Sequence, residues 1–232
     1  KTVTTYYNIE CGFDIETTST FVNGEKQAFM YEWTFGIKDT IVYGRTWEQF
    51  IELCFRLKEH FNLSSDRILT IYVHNLGYEF QFMRKYFNWE NVFSIDERKP
   101  VKALTDLGIE FKDSYILSGY SLDMLSKNLA KHKVSKLVGD LDYSLIRHQE
   151  TELTEQELKY CKNDVLIILY YINEQIEQYG NITKIPLTNT GRVRNFVKDK
   201  CYHTRKENKK SSYGKFSRYN ELMKELTLTA DE

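Results

Sequence analysis

The feature of this sequence that most constrains its fold is a long amphipathic segment between residues 154 and 180. Thr154, with Glu157 three positions later, forms a capping-box pattern typical of a helix start, and Gly180 is typical of a helix end. Between them, apolar residues recur at helical spacing and form one wide face: Val165, Leu166, Ile168, Leu169, Ile172 and Ile176. Because such a face must be buried against another layer, we predict a helix over Thr154–Tyr179 that packs on a sheet.

The rest of the chain alternates between strand and helix patterns, with a turn expected at Asn23-Gly24. Strands are predicted at Asn8–Ile15, Tyr31–Ile37, Thr40–Tyr43, Ile68–Val73, Val101–Thr105 and Ile109–Phe111. Helices are predicted at Trp47–His60, Leu76–Phe87 and Ser121–His132. This order predicts an α/β fold with a mixed sheet flanked by helices.

Composition excludes several classes of protein. The 232 residues are 41% hydrophobic and 28% charged, which excludes disordered and collagen-like chains. The four cysteines are scattered and lack zinc-site spacing, so we expect reduced thiols: Cys11, Cys54, Cys161 and Cys201. The longest apolar run, Val165–Ile172, is too short to span a membrane, and the polar start is unlike a signal peptide. We therefore expect a cytoplasmic protein.

The C-terminal part of the chain is strongly basic. Between residues 192 and 218, ten Lys and Arg residues stand against two acidic residues, interleaved with aromatics. This composition is typical of contact with a phosphate backbone and stacked bases, and a solvated basic linker is the alternative interpretation. We divide the chain into a domain over residues 1–185 and a basic segment over residues 186–232. The final residues, Thr229–Glu232, have the pattern of a helix start, so we expect the natural chain to continue.

Two acids lie one residue apart in the first predicted strand. Asp14 and Glu16 project to the same face, because side chains alternate along a strand. Paired carboxylates repel each other unless a cation lies between them, and oxygen ligands suit Mg²⁺ or Mn²⁺. An exposed pair at a sheet edge is the alternative.

Two further acids lie in unusual surroundings. Glu79 follows the buried strand and is flanked by Tyr78 and Phe80. Asp164 lies four residues after Tyr160 in the long helix, so both side chains lie on the face that packs on the sheet. A buried aspartate needs a metal or a hydrogen-bond donor as a partner.

These three segments resemble the Exo I, Exo II and Exo III motifs of 3′–5′ proofreading exonucleases with a ribonuclease H-like fold. More narrowly, the chain resembles the N-terminal exonuclease domain of protein-primed family-B DNA polymerases of bacteriophages, linear plasmids and adenoviruses. Further matching segments support the resemblance over roughly residues 11–179: Tyr72–Leu76, Gly139–Tyr143 and Tyr160-x-x-Asn163-Asp164. The polymerase motifs of the family are absent from the sequence, so we expect an exonuclease domain belonging to a longer polymerase.

The resemblance implies a two-metal-ion mechanism with Mg²⁺ or Mn²⁺. In the family pattern, Asp14 bridges both ions, Glu16 and Asp164 complete the first site, Glu79 helps to hold the second, and Tyr160 orients the attacking water. The implied substrate is the 3′ end of single-stranded DNA. The implied partners are a polymerase domain of the same chain and a priming terminal protein, with no membrane.

The resemblance also implies residues that contact DNA or the priming protein. These are Thr17, Tyr72, His74, Asn75 and Phe82, although a histidine at the end of a buried strand is also a common structural residue. The DNA-contacting serine of the family is either Ser114 or Ser121, the latter followed by Leu122. The family lysine has no exact counterpart, because Val138 occupies its place, and Lys136 is the candidate.

The sequence departs from the family at the Exo II acid, where Glu79 stands in place of the usual Asp. The longer side chain still reaches a metal through a water, but it can shift the second ion and lower the rate. A catalytically weak module that binds single-stranded DNA or a priming protein is therefore the alternative function. A free-standing ribonuclease of the same fold is a third possible function.

Overall fold

The computed structural model describes residues 3–137, 142 and 145–202, with side chains described up to residue 197. The strands are β1 Thr5–Tyr6, β2 Cys11–Val22, β3 Glu25–Ile37, β4 Thr40–Gly44, β5 Arg67–Val73, β6 Trp89–Asp96, β7 Lys99–Thr105 and β8 Ile109–Asp113. The helices are α1 Trp47–Phe61, α2 Leu76–Met83, α3 Ser114–Ser118, α4 Leu122–Lys127, α5 Glu155–Tyr179 and α6 Asn189–Tyr202. A short 3₁₀ helix spans Ile182–Lys184.

The strands form one mixed sheet in the order β4-β3-β2-β5-β8-β7-β6, and β1 pairs with β5. Strands β2, β5 and β8 are parallel to one another, whereas β3, β4, β6 and β7 join by antiparallel pairing. The last parallel pair between β2 and β5 joins Phe13 to Val73, so β2 continues past the carboxyl end of β5. The residue after that pair is Asp14.

The sheet separates two hydrophobic layers. On one face, Phe13, Trp33 and Phe35 pack with Phe50 of α1. On the other face, the helix α5 lies across β2, β3 and β5. Alternate side chains of the central strands β2, β3 and β5 enter opposite layers, as expected for a sheet covered on both sides.

Glycine allows α5 to approach the sheet closely. A Cβ at Gly36 would lie 2.6 Å from Leu169 Cδ1 and 2.9 Å from Val165 Cγ1. At Gly12 the nearest atom would be Ile168 Cγ2, at 3.3 Å. The two glycines thus fix how near the middle of α5 comes to β2 and β3.

Several predicted elements agree with the structure. Thr154 and Glu157 form the predicted capping box of α5, and Gly180 ends the helix in the left-handed conformation. Thr46 and Gln49 cap α1 in the same way. The predicted turn joins β2 to β3, where Asn23 and Gly24 both have positive φ angles of 52° and 81°.

Other predicted boundaries were wrong. The helix predicted to reach Phe87 ends at Met83, and Phe87 packs into the core with Trp89. The helix predicted to reach His132 ends at Lys127. Here the Glu174 carboxylate accepts backbone N–H groups of residues 130–132, which stabilises an irregular segment instead of a helix. Strand β6 was missed because its residues are mostly exposed on both faces and lack apolar alternation.

The chain divides into two compact units, Lys1–Leu187 and Thr188–Glu232. Helix α6 belongs to the second unit and was missed; it includes the start of the basic segment. The rest of that segment and the helix start predicted at Thr229–Glu232 lie outside the described residues. Within the described part of the chain, no helix is both long and apolar enough to cross a membrane.

Candidate metal centre

Three carboxylates converge where β2 passes the end of β5. Asp14 and Glu16 of β2 and Asp164 of α5 each place one oxygen so that all three lie within 4.8 Å of one another. Asp14 and Glu16 share the sheet face that α5 covers, and the glycines beneath α5 bring Asp164 over them. A register shift in the β2–β3 pair directly follows Glu16. Such bulges redirect side chains and are common beside functional sites.

The three-carboxylate group is electrostatically unfavourable without a cation. Burial, and then the charges of Asp164 and Glu32, raise the pKa of Asp14 to about 8. Burial, and then Asp14 and Glu32, raise the pKa of Glu16 to about 9. Burial also raises the pKa of Asp164, although Lys136 acts in the opposite direction. Repulsion of this kind is relieved by protons or by a bound cation.

The donor atoms fit a hard divalent cation. Asp164 Oδ1 and Glu79 Oε2 are buried and have no hydrogen-bond partner among the described residues. An unpaired buried carboxylate oxygen is costly, and a metal ion would supply the missing partner. The donors are all oxygen atoms, which suit Mg²⁺ or Mn²⁺ better than zinc.

Glu79 lies beside the three-carboxylate group but does not belong to it. Its side chain is 4% exposed, and burial and then the charge of Asp14 raise its pKa well above the usual range. Helix α2, which carries Glu79, begins just after β5. Asp113, at the end of β8, accepts the backbone N–H of Leu76 at 2.9 Å and fixes this start.

Lys136 and Tyr160 lie beside Asp164 in this site. Lys136 Nζ donates to Asp164 Oδ2 at 2.6 Å and to the Tyr160 hydroxyl at 3.4 Å. Tyr160 is 6% exposed and lies one helical turn before Asp164, as the sequence spacing predicts. The sequence left Lys136 as a candidate, and the structure brings it into this site.

The predicted DNA-contacting residues are distributed along the same edge. The Thr17 hydroxyl hydrogen-bonds with the hydroxyl of Tyr78, whose ring lies 5.1 Å from that of Phe82. Asn75 is exposed in the left-handed conformation at the start of α2. His74 Nδ1 lies 3.1 Å from the Ser114 hydroxyl, which also donates to the Val73 carbonyl.

Four predicted contact residues are buried or have a structural role instead of an open surface for DNA. Tyr72 is 2% exposed and packs among Leu117, Leu125 and Ile168, so its ring presents no open face for a base. Ser121 is the N-cap of α4 and accepts the Met124 N–H at 3.4 Å. Leu122 is partly buried against the same core cluster. The other candidate serine, Ser114, lies beside His74 and is fully buried, so it presents no surface to DNA either.

Two buried acids and an exposed aromatic were not anticipated from the sequence. Glu32 of β3 is 1% exposed, and Asp113 is 2% exposed. The sequence does contain a signal for Glu32, because an acidic residue within an apolar strand pattern is unusual and indicates a buried acid. Tyr78 is 42% exposed and touches Thr17 next to the carboxylates, but its sequence position beside Glu79 did not distinguish it from its aromatic neighbours.

The segment Gly139–Tyr143, which resembles a family motif, lies outside the described residues apart from Asp142. Beyond it, Arg147 is 4% exposed and donates to the Asp142 carbonyl at 2.6 Å and to the Glu157 carboxylate at 2.6 Å. The backbone N–H of Arg147 also donates to Thr18 Oγ1 of β2 at 3.4 Å. Arg147 therefore connects Asp142 to β2 and to the start of α5.

Together, the fold and the site define an α/β domain with a mixed sheet and a carboxylate group suited to divalent cations. No protein-family model matches the sequence, and comparison with curated proteins finds no match. Solved structures of phi29 DNA polymerase, a protein-primed family-B polymerase, do match.

The polymerase structure with primer-template DNA, a post-translocation binary complex, gives a TM-score of 0.63 at 17% identity and covers 82% of this chain and 34% of that chain. The polymerase structure with single-stranded DNA gives a TM-score of 0.59 at 19% identity. The match covers 74% of this chain and 32% of the polymerase chain. The orthorhombic crystal form of the polymerase gives a TM-score of 0.62 at 15% identity. The chain thus spans about a third of the polymerase's length. The likeness confirms the predicted α/β fold with a mixed sheet flanked by helices, which the chain shares with the matching part of the polymerase.

Proposed function

We propose that this chain is the 3′–5′ exonuclease domain of a protein-primed DNA polymerase, which removes the terminal nucleotide from single-stranded DNA. The observation that carries the proposal is the convergence of Asp14, Glu16 and Asp164, with buried unpaired oxygens, in a fold shared with a DNA polymerase. The motif resemblance of the sequence supports the same activity.

Each residue of the site has a distinct role in this proposal. Asp14, Glu16 and Asp164 would hold a first Mg²⁺ or Mn²⁺ ion, and Asp14 with Glu79 would hold a second. When bound, the divalent ions supply Lewis acidity toward the scissile phosphate and the attacking water. The Tyr160 hydroxyl orients that water, and Lys136, which lies between Asp164 and Tyr160, balances the negative charge of the site.

The 3′ end of the strand would lie along the edge formed by Thr17 and Asn75, with Tyr78 and Phe82 as stacking faces. One matching phi29 polymerase structure is a complex with single-stranded DNA, which supports this class of substrate. We further propose that the partners are a polymerase domain of the same natural chain and a priming terminal protein.

The proposal is tested with a 5′-labelled single-stranded DNA incubated in Mg²⁺, in Mn²⁺ and in EDTA. We expect a ladder that shortens from the 3′ end with either metal and an intact strand in EDTA. Asp14→Ala should leave the strand intact with metal while keeping the far-UV circular dichroism spectrum. Cleavage in EDTA, or undiminished cleavage by Asp14→Ala, would refute the proposed chemistry.

A second function is favoured by one observation, the position of Glu79 outside the three-carboxylate group. If Glu79 supports a second ion poorly, the domain would act as a weak nuclease that binds single-stranded DNA or a priming protein. Tight binding without cleavage in Mg²⁺ or Mn²⁺ would favour this function. Preferential cleavage of a 5′-labelled RNA strand would instead favour a ribonuclease.

A further inference from the structure

A fourth acid, Glu32, lies directly across the sheet from Glu16. The two residues are Cα partners in the antiparallel β2–β3 ladder. Directly opposed residues in such a ladder project to the same face, with their Cβ atoms about 5 Å apart. Glu32 therefore lies on the face that carries the three-carboxylate group and is covered by α5.

The carboxylate of Glu32 accepts hydrogen bonds from its own strand and from α5. Thr34 Oγ1 donates to Glu32 Oε1 at 2.5 Å, and the Cys161 thiol of α5 also hydrogen-bonds to this carboxylate. The second oxygen, Oε2, is buried without a hydrogen-bond partner among the described residues. The side chain is 1% exposed, so water does not solvate its charge.

Like charges directly opposed across a ladder destabilise a sheet. The Glu16–Glu32 pair is buried, and Glu32 raises the pKa of both Asp14 and Glu16. Glu32 is nevertheless not one of the three acids whose oxygens converge. Glu32 would therefore act on a cation indirectly, through the position of the Glu16 carboxylate and through the electrostatic attraction of its own charge.

We propose that Glu32 is a positioning residue of the candidate metal centre, which directs the Glu16 carboxylate toward the cation and increases the affinity of the three-carboxylate group for it. This inference rests on the cation site of the proposed function. Outer residues that orient metal ligands typically change metal affinity by about 10- to 100-fold when they are replaced.

The test is Glu32→Gln, which keeps the shape and removes the charge. Free Mn²⁺ is measured by electron paramagnetic resonance during titration of the whole chain, and the melting temperature is measured in EDTA and in saturating Mn²⁺. We expect the Kd for Mn²⁺ to rise about 10- to 100-fold. We expect the melting temperature in EDTA to stay the same or rise, because a buried repulsion is removed.

Glu110→Gln is the matched control. Glu110 is also 1% exposed, but its carboxylate lies 2.8 Å from Lys112 Nζ and 3.5 Å from Lys102 Nζ. Its loss leaves two partly buried lysines unpaired, so the melting temperature should fall equally with and without Mn²⁺. The Mn²⁺ affinity should remain that of the unmutated chain.

If Glu32→Gln binds Mn²⁺ with unchanged Kd and melts lower in both conditions, Glu32 is only a core residue and the inference is wrong. If Glu32→Gln does not fold, Thr34→Val retains the charge and removes one hydrogen bond. Thr34→Val should then weaken Mn²⁺ binding in the same direction by a smaller factor, and unchanged binding would overturn the inference. If the unmutated chain itself binds no Mn²⁺, both the cation site and this inference fail.

Discussion

At the scale of single residues, the site concentrates negative charge on one small patch of sheet. Asp14 and Glu16 have raised pKa values because burial and neighbouring acids act together, and Lys136 lowers both. The side chains around this patch therefore differ in what they contribute. The carboxylates hold charge, whereas the Tyr160 hydroxyl offers a single hydrogen bond.

Because a carboxylate contributes a charge and the Tyr160 hydroxyl contributes one hydrogen bond, we expect their substitutions to lower the cleavage rate by different factors. Tyr160→Phe removes one hydrogen bond, which is worth about 1 kcal/mol, so the cleavage rate should fall by roughly five- to tenfold. Asp164→Asn removes a proposed metal ligand and should lower the rate by at least 10²-fold, an order-of-magnitude expectation for loss of a preorganised charge. Single-turnover cleavage of labelled DNA measures both variants. An equal loss in the two would mean that Tyr160 does more than orient water.

Glu79 permits a second test at the same scale. Because it lies beside the three-carboxylate group, Glu79→Gln should abolish one of two Mn²⁺ sites and spare the other. A Mn²⁺ titration should then show two ions bound by the unmutated chain and one by the variant. Retention of two ions in Glu79→Gln would contradict a role for Glu79 in holding the second.

At the scale of elements, the site depends on how close α5 lies to β2 and β3. Gly36 and Gly12 provide the space, and Val165, Ile168 and Leu169 fill it. This contact places Asp164 over Asp14. The sequence predicts the helix, its caps and its apolar face, because these depend on local spacing. It does not predict the distance to the sheet, which is set by glycines on two other elements.

Gly36→Ala tests this dependence. The new Cβ would lie 2.6 Å from Leu169 Cδ1, so α5 or its side chains must move. Overpacking of this kind costs about 1–3 kcal/mol, which lowers the melting temperature by roughly 2–12 °C for a chain of this size. Cleavage should also fall, because Asp164 moves with α5.

Gly12→Ala is the milder control, because its nearest contact would be 3.3 Å. Adding Leu169→Ala to Gly36→Ala opens space at the clash, and the double variant should lose less stability than the two single losses combined. Strict additivity of the two losses would show that the Gly36–Leu169 contact does not control the position of α5.

At the scale of the whole molecule, the carboxylates come from elements far apart in the sequence. Motif order and flanking aromatics pointed to Asp14, Glu16, Glu79 and Asp164, and three of these four converge within 4.8 Å. Glu32 and Asp113 could not be selected in this way, because their importance arises from strand pairing and from helix capping by a neighbouring strand. Tyr72 matched the family pattern, but the packing of α4 and α5 buries it.

The combined charge also determines how stability varies with pH. The folded pKa is about 8 for Asp14, about 9 for Glu16 and about 7 for Glu32, whereas the unfolded values are close to 4. Between these limits the folded chain binds more protons than the unfolded chain, so its free energy of unfolding falls as pH rises. In EDTA, the melting temperature should therefore decline from about pH 5.5 to about pH 9.

Saturating Mg²⁺ should reduce this decline, because the cation replaces the protons that the acids lose. The variant Asp14→Asn/Glu16→Gln should show a shallower decline in EDTA and no response to Mg²⁺. Glu157 and Glu174 have lowered pKa values, so their contribution is lost only as pH falls below about 4.5, outside this window. A decline that is equally steep in the double variant would place its origin outside the three-carboxylate group. A shallow decline that Mg²⁺ no longer alters would show that these acids couple proton release to cation binding.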